Sequence, residues 1–192
     1  YSVSLTVTLP DGTPCKVSKS NIIDVPSILP VPPVVASDTL ICTGASQSNP
    51  VPVTFTNNSA NVVQRNWIID GTEFINAANT ITYSFRKTGC FGSILEVFDS
   101  KGCKNSNVEL SKVCIYDPIE MDFDLGTNCI PLQGDYITKF VTNGQNIKSY
   151  SWSFPGGSPA TSTAATPAIV TYASAGEYDV TVTVKTEEGC EY

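Results

Sequence analysis

Histidine is absent from the 192 residues, methionine occurs once, and charged residues make up only 15%. Without histidine, no Ser–His or Cys–His catalytic pair can form. A zinc site would need cysteines alone, and the cysteine spacings contain no C-x-x-C pair. Positive charge is scarce: 11 Lys and Arg stand against 18 Asp and Glu, for a net charge of −7. That excludes a basic nucleic-acid surface and a polybasic patch for anionic lipid. No run approaches the roughly 18 apolar residues that direct membrane insertion requires. No signal peptide is visible, and Tyr1 reads as mid-strand, so the N-terminus of the whole protein is expected elsewhere.

What remains is 41% hydrophobic. Short runs of Val, Ile, Thr, Phe and Tyr alternate with Gly, Pro, Asn and Asp, the pattern of an all-β sandwich, with no convincing helical period. The clearest strand is Tyr178–Lys185. Tyr178, Val180, Val182 and Val184 are expected to face a core, and Asp179, Thr181, Thr183 and Lys185 to face water.

The pattern repeats. Phe85 and Tyr172, Gly89 and Gly176, Phe91 and Tyr178, Gly102 and Gly189, Cys103 and Cys190, and Cys42 and Cys129 are all 87 positions apart (172 − 85, and so on). Trp67 and Trp152 differ by 85, a small change in loop length. A partial third copy opens the chain, where the strand from Tyr1 is followed by Asp11-Gly12 and Cys15 as Tyr178–Lys185 is by Glu188-Gly189 and Cys190. The expected organisation is the last strands of one repeat plus a linker stiffened by Pro26, Pro30, Pro32 and Pro33 (1–32), a complete repeat (33–117), and a repeat lacking its last strand (118–192). The second junction, Tyr116–Ile119, has almost no linker.

The third copy carries Trp152-Ser-Phe154-Pro-Gly156-Gly157, then Pro167, Val170-Thr-Tyr172 and Gly176-Glu-Tyr178-Asp-Val180-Thr-Val182-Thr-Val184. This resembles the PKD (polycystic kidney disease) domain pattern W-x-F-G-D-G, N-P-x-h-x-Y, G-x-Y-x-V-x-L-x-V. Pro155 and Gly157 interrupt the usual acidic loop. The middle copy, with Asn66-Trp67-Ile-Ile-Asp70-Gly71 and Phe85, is weaker. Ile41-Cys42-Thr-Gly44, Thr54–Ser59 and Gly102-Cys103 resemble repeats of large Bacteroidota surface proteins, including gliding-motility adhesins. The resemblance implies tandem Ig-like (PKD-like) antiparallel β-sandwiches on the cell surface.

Seven cysteines in such a chain point to disulfides and an oxidising, extracellular compartment. The repeat suggests closure within each copy, Cys42–Cys103 and Cys129–Cys190. The loops are about 60 residues, and such bridges are each worth roughly 4 kcal/mol in the chain-entropy account. Cys15, equivalent to Cys103, is expected to be unpaired within this segment. Cys90 and Cys114 are symmetric about Gly102 (90 + 114 = 2 × 102), so a hairpin turning there would bridge them as adjacent-strand neighbours.

Other candidates have simpler accounts. Trp67 and Trp152 could stack on sugar rings, but they sit where sandwiches bury a Trp, and Phe91, Tyr172 and Tyr178 join them as expected core. Asp122 and Asp124 could hold Ca2+ through carboxylate oxygens, but they alternate with Met121, Phe123 and Leu125 like the wet face of an edge strand. Asp70, Glu187 and Glu188 read as solvated loop charges. Asn57-Asn58-Ser59 is formally a glycosylation sequon, and Asp38-Thr39-Leu40 resembles a Bacteroidota O-glycosylation motif. A carboxylate pair for glycoside hydrolysis is compatible with the spacing, but domains of about 87 residues leave little room for a deep cleft.

The expected function is therefore non-catalytic and cofactor-free: a cell-surface adhesin or stalk segment for attachment or gliding. Its partners would be neighbouring repeats and a polysaccharide or other surface ligand. The rivals are an accessory module of a secreted hydrolase, usually present in ones and twos, and a filament subunit with strands completed between neighbours.

Overall fold

The computed structural model describes residues 2–21, 34–107, 112–123 and 137–192. The proline linker, Asp124 and Cys129 lie outside them. The described chain is all-β, with an opening hairpin and two further groups of sheets, each around its own core.

The hairpin is β1 (Ser2–Thr8) and β2 (Pro14–Ser20), with Leu5 opposite Val17. Its apolar side chains Val3, Leu5, Val7 and Val17 are exposed.

The first body comprises β3 (Val35–Ala36), β4 (Leu40–Ile41), β5 (Val51–Thr56), β6 (Gln64–Ile69), β7 (Thr72–Phe74), β8 (Thr80–Phe85), β9 (Gly89–Phe91), β10 (Ser93–Phe98), β11 (Lys104–Asn107) and β12 (Val113–Ile115). Strands β3-β5-β8 form one sheet; β11-β10-β6-β7 and β4-β12-β9 form the others. Alternation puts every second residue inward: Val53 and Phe55 from β5, Trp67 and Ile69 from β6, Leu95 and Val97 from β10, Val113 and Ile115 from β12. Each such side chain contributes about 1.5–3 kcal/mol by leaving water. On the wet face, Thr54 and Thr82 pair across β5 and β8 through their hydroxyls at 3.0 Å.

The second body comprises β13 (Glu120–Phe123), β14 (Ile137–Val141), β15 (Ile147–Ser153), β16 (Gly157–Ser158), β17 (Thr161–Ser162), β18 (Thr171–Tyr172) and β19 (Thr181–Thr186). Trp152, Phe154, Val170 and Tyr172 form its core.

The two bodies share register as well as sequence. Leu95 stands opposite Trp67, and Val182 opposite Trp152. Phe98 faces Lys104, and Lys185 faces Glu191, each 87 positions on (98 + 87, 104 + 87). Both indoles donate to a loop carbonyl, Trp67 to Ala78 and Trp152 to Ala164. Phe85 stacks on Phe91 at 4.8 Å, as Tyr172 does on Tyr178 at 4.2 Å.

Tyr178 departs from expectation. The strand begins at Thr181, not Tyr178, and Tyr178 is 37% exposed. Its ring lies over Gly156 and Gly176, and its hydroxyl donates to the Ser174 carbonyl. It covers Tyr172 from outside instead of entering the core. Phe91 is buried because β12 pairs against β9; among the described residues no strand pairs with 176–178.

Candidate functional site: a disulfide-clasped junction

The distinctive chemistry lies where the two bodies meet. Strand β4 runs parallel to β12, with Leu40 beside Cys114 and Ile41 beside Ile115. Cys42 therefore emerges level with Tyr116, at the end of the first body where the chain leaves for the second. Gly44 fixes the following turn with φ +71° and donates its N–H to the Tyr116 carbonyl. A Cβ there would sit 2.7 Å from an Asp117 carboxylate oxygen, which would have to swing aside, and the left-handed φ itself favours glycine.

The connection is closely held. Gln145, only 3% exposed, donates from Nε2 to the Asp117 carbonyl at 2.7 Å, and Tyr192 donates to the same oxygen at 3.4 Å. Asn143 donates to the Pro118 carbonyl at 2.6 Å. Glu188 accepts from the Asn146 backbone N–H, while the Glu187 N–H donates to the Asn146 carbonyl. The carbonyls of the short connection are thus satisfied by the second body's turns.

Across this junction runs the disulfide Cys42–Cys190, with Cα atoms 5.7 Å apart. It overturns both expected pairings, Cys42–Cys103 and Cys129–Cys190. The reason is geometric. Lys104 lies beside Phe98 and Ile115 beside Gly89, nine positions along the same run (98 − 89). At about 3.3 Å per residue, that puts the Cys103 turn roughly 30 Å from Cys42, whereas bridged Cα atoms lie within about 7 Å. Cys190 follows β19 in the second body's turn that faces the first body, and is 1% exposed.

Cys90 and Cys114 are bridged directly opposite one another on β9 and β12. The hairpin that turns at Gly102 belongs to β10 and β11. Strands β9 and β12 belong to another sheet, and the Cys90–Cys114 pair lies there.

Cys103 and Cys15 are free thiols. Cys15 does not occupy the turn position of Cys103. Turns with the same bonds close at Gly12, Gly102 and Gly189, but Thr13 fills the place next to Gly12, and Cys15 lies two residues along β2, opposite Val7.

Trp67 and Trp152 are buried at 0% and 1% exposure, out of reach of a sugar. Asp122 is exposed beside Lys139 across β13 and β14, and accepts from the Phe123 N–H. Asp70 sits in a left-handed turn, paired with Lys87 at 3.2 Å and accepting from the Tyr83 hydroxyl. The Asn57 sequon is closed: Asn57 is 1% exposed, and its Oδ1 accepts from Ser59 N–H and Arg65 Nε. The aromatic edges that sequence reading passed over are Phe74 and Tyr83. With Asp70, Arg86 and Lys87 they line an open groove of about 490 Å³. Phe74 and Tyr83 alternate with polar neighbours as core residues do, so nothing in the pattern marked them as groove walls. No helix among the described residues is long and apolar enough to cross a membrane.

Residues 122–191 match the PKD domain family. Together with the all-β architecture, this identifies that stretch as an Ig-like PKD module. No curated protein matches the chain. A solved structure of the fibronectin(III)-like modules of Clostridium thermocellum CbhA is similar at 11% identity and a TM-score of 0.47, covering 82% of this chain and 88% of that one.

Proposed function

We propose that the chain is a non-catalytic extracellular repeat segment of a cell-surface adhesin or stalk, serving attachment or gliding. One observation carries this reading: two sandwich bodies with a shared register are joined head to tail by a minimal connection and a covalent bridge, Cys42–Cys190. A bridge from one body to the next holds their spacing and orientation, which is what a stalk needs and a catalytic cleft does not. Disulfides and a PKD module both fit a non-cytoplasmic location. A polysaccharide or other surface ligand would meet the chain at the Phe74 and Tyr83 groove, whose mixed charges and aromatic edges suit sugar hydroxyls and faces.

The test is an antibody against residues 34–192, applied to intact cells and to fractionated cells and medium. Surface labelling, lost on mild external proteolysis and carried by a long cell-attached polypeptide, is the expected result. A modest soluble polypeptide in the medium, fused to a catalytic domain, would replace this reading with the accessory-module one.

A further inference from the structure

The Cys42–Cys190 bridge has an unoccupied counterpart at the other end of the first body. The turn Asp99–Gly102 is built like Thr186–Gly189. Gly102 donates to Asp99 as Gly189 does to Thr186, and Asp99 N–H bonds the Cys103 carbonyl as Thr186 N–H bonds that of Cys190. The two turns differ in what covers them. Leu40 of the first body lies 3.2 Å from where a Cβ on Gly189 would be, and Cys190 is 1% exposed. Among the described residues nothing lies within 4 Å of the same point on Gly102, and Cys103 is a half-buried free thiol. Cys42 cannot serve it, being bonded and some 30 Å away along the strands.

We propose that Cys42–Cys190 is one link of a repeating clasp, in which a copy that carries a turn cysteine bonds it to the opening cysteine of the copy before it; the opening hairpin, with Thr13 at that position, carries none. This rests on the tandem-repeat reading above. The uncovered face around Gly102 and Cys103 is then a docking surface for another copy of the repeat, which seats on it as the first body seats on the Gly189 turn. Cys103 bonds a cysteine equivalent to Cys42 in the preceding copy. Each bridge forms as Cys42–Cys190 does, two thiols losing two protons and two electrons to the oxidant of the secretory compartment, a thiol–disulfide oxidoreductase or oxygen.

The test is a disulfide map of the full-length protein from its native source, with free thiols alkylated before digestion without reduction. The expected map joins the Cys103 peptide to a peptide carrying the opening cysteine of another repeat, with loss of the alkylated-thiol signal at Cys103. In Cys103→Ser, a near-isosteric change at a partly exposed free thiol, that opening cysteine gains an alkyl group while Cys42–Cys190 stays intact. Cys103 recovered as an alkylated thiol, or joined to Cys15 or Cys129 of its own segment, overturns the clasp. The tandem reading would survive those outcomes if further copies surround the segment, and would fall only if none do.

Discussion

Cys42 and Cys190 stand 148 positions apart in sequence and 5.7 Å apart at Cα, one on each of two sandwich bodies. In the chain-entropy account, closing a loop of that length stabilises by about 5 kcal/mol. The mechanical consequence is more specific. Everything between the two residues is removed from the load-bearing contour, so the first body and most of the second cannot lengthen while the bridge holds.

The G-x-aromatic motif gives a paired test, because its two copies differ in backbone. Gly89 has φ +134° and an added Cβ would meet the Phe91 ring at 3.3 Å; Gly176 has no left-handed φ and would meet Tyr178 at an ordinary 3.5 Å. Gly89→Ala is expected to lose about 1–3 kcal/mol in urea unfolding. Gly176→Ala should stay within about 0.5 kcal/mol of the parent, or gain slightly from a stiffer unfolded chain.

Arg65 is 7% exposed and holds the Asn57–Ser59 loop at the same end as the Cys103 turn, donating from Nε to Asn57 Oδ1 and from a terminal nitrogen to the Ser59 carbonyl at 2.9 Å. Burial pulls its guanidinium below the usual Arg value. Arg65→Met should destabilise by about 1–3 kcal/mol, since a buried carbonyl loses its donor. Arg65→Lys should recover only part of this, because an ammonium lacks the planar fork. Urea midpoints of the two variants provide the check.

Glu120 and Lys139 pair at 2.5 Å across β13 and β14. The hydrogen bond to Lys139, then its charge, lowers the Glu120 carboxyl; the reciprocal contacts raise Lys139. The contribution of Glu120 is present above the ordinary carboxylate value and is lost as pH falls through its lowered one. That of Lys139 is present below the ordinary lysine value and is lost as pH rises through its raised one. Both groups are solvent-exposed, so Glu120→Gln should change the urea midpoint little at neutral pH, and any difference should vanish in about 1 M salt.

The all-β fold and the buried Trp67 and Trp152 were legible, because period-two alternation acts over short distances; Cys90 and Cys114 do bond, but across β9 and β12 in another sheet and not in the hairpin at Gly102 from which they were expected. The junction was not. Cys42–Cys103 and Cys42–Cys190 differ by one repeat (190 − 103 = 87), so both respect the periodicity. Only the parallel pairing of β4 with β12, a long-range choice without local signature, puts Cys42 at the far end of its body. Tyr178 misled for a related reason: its alternation continues that of Val180 and Val182, yet whether it is covered depends on a neighbouring strand.

Pulling the chain from its two ends, before and after reduction, tests the covalent junction most directly. With the bridge intact, only residues outside the Cys42–Cys190 loop can extend, about 150 Å of contour at roughly 3.5 Å per residue. Reduction should release about 500 Å more as the two bodies unfold. If the oxidised chain already extends by several hundred ångströms, short of the full contour only by the roughly 80 Å closed by Cys90–Cys114, Cys42 and Cys190 are not joined and the junction is held by hydrogen bonds and packing alone.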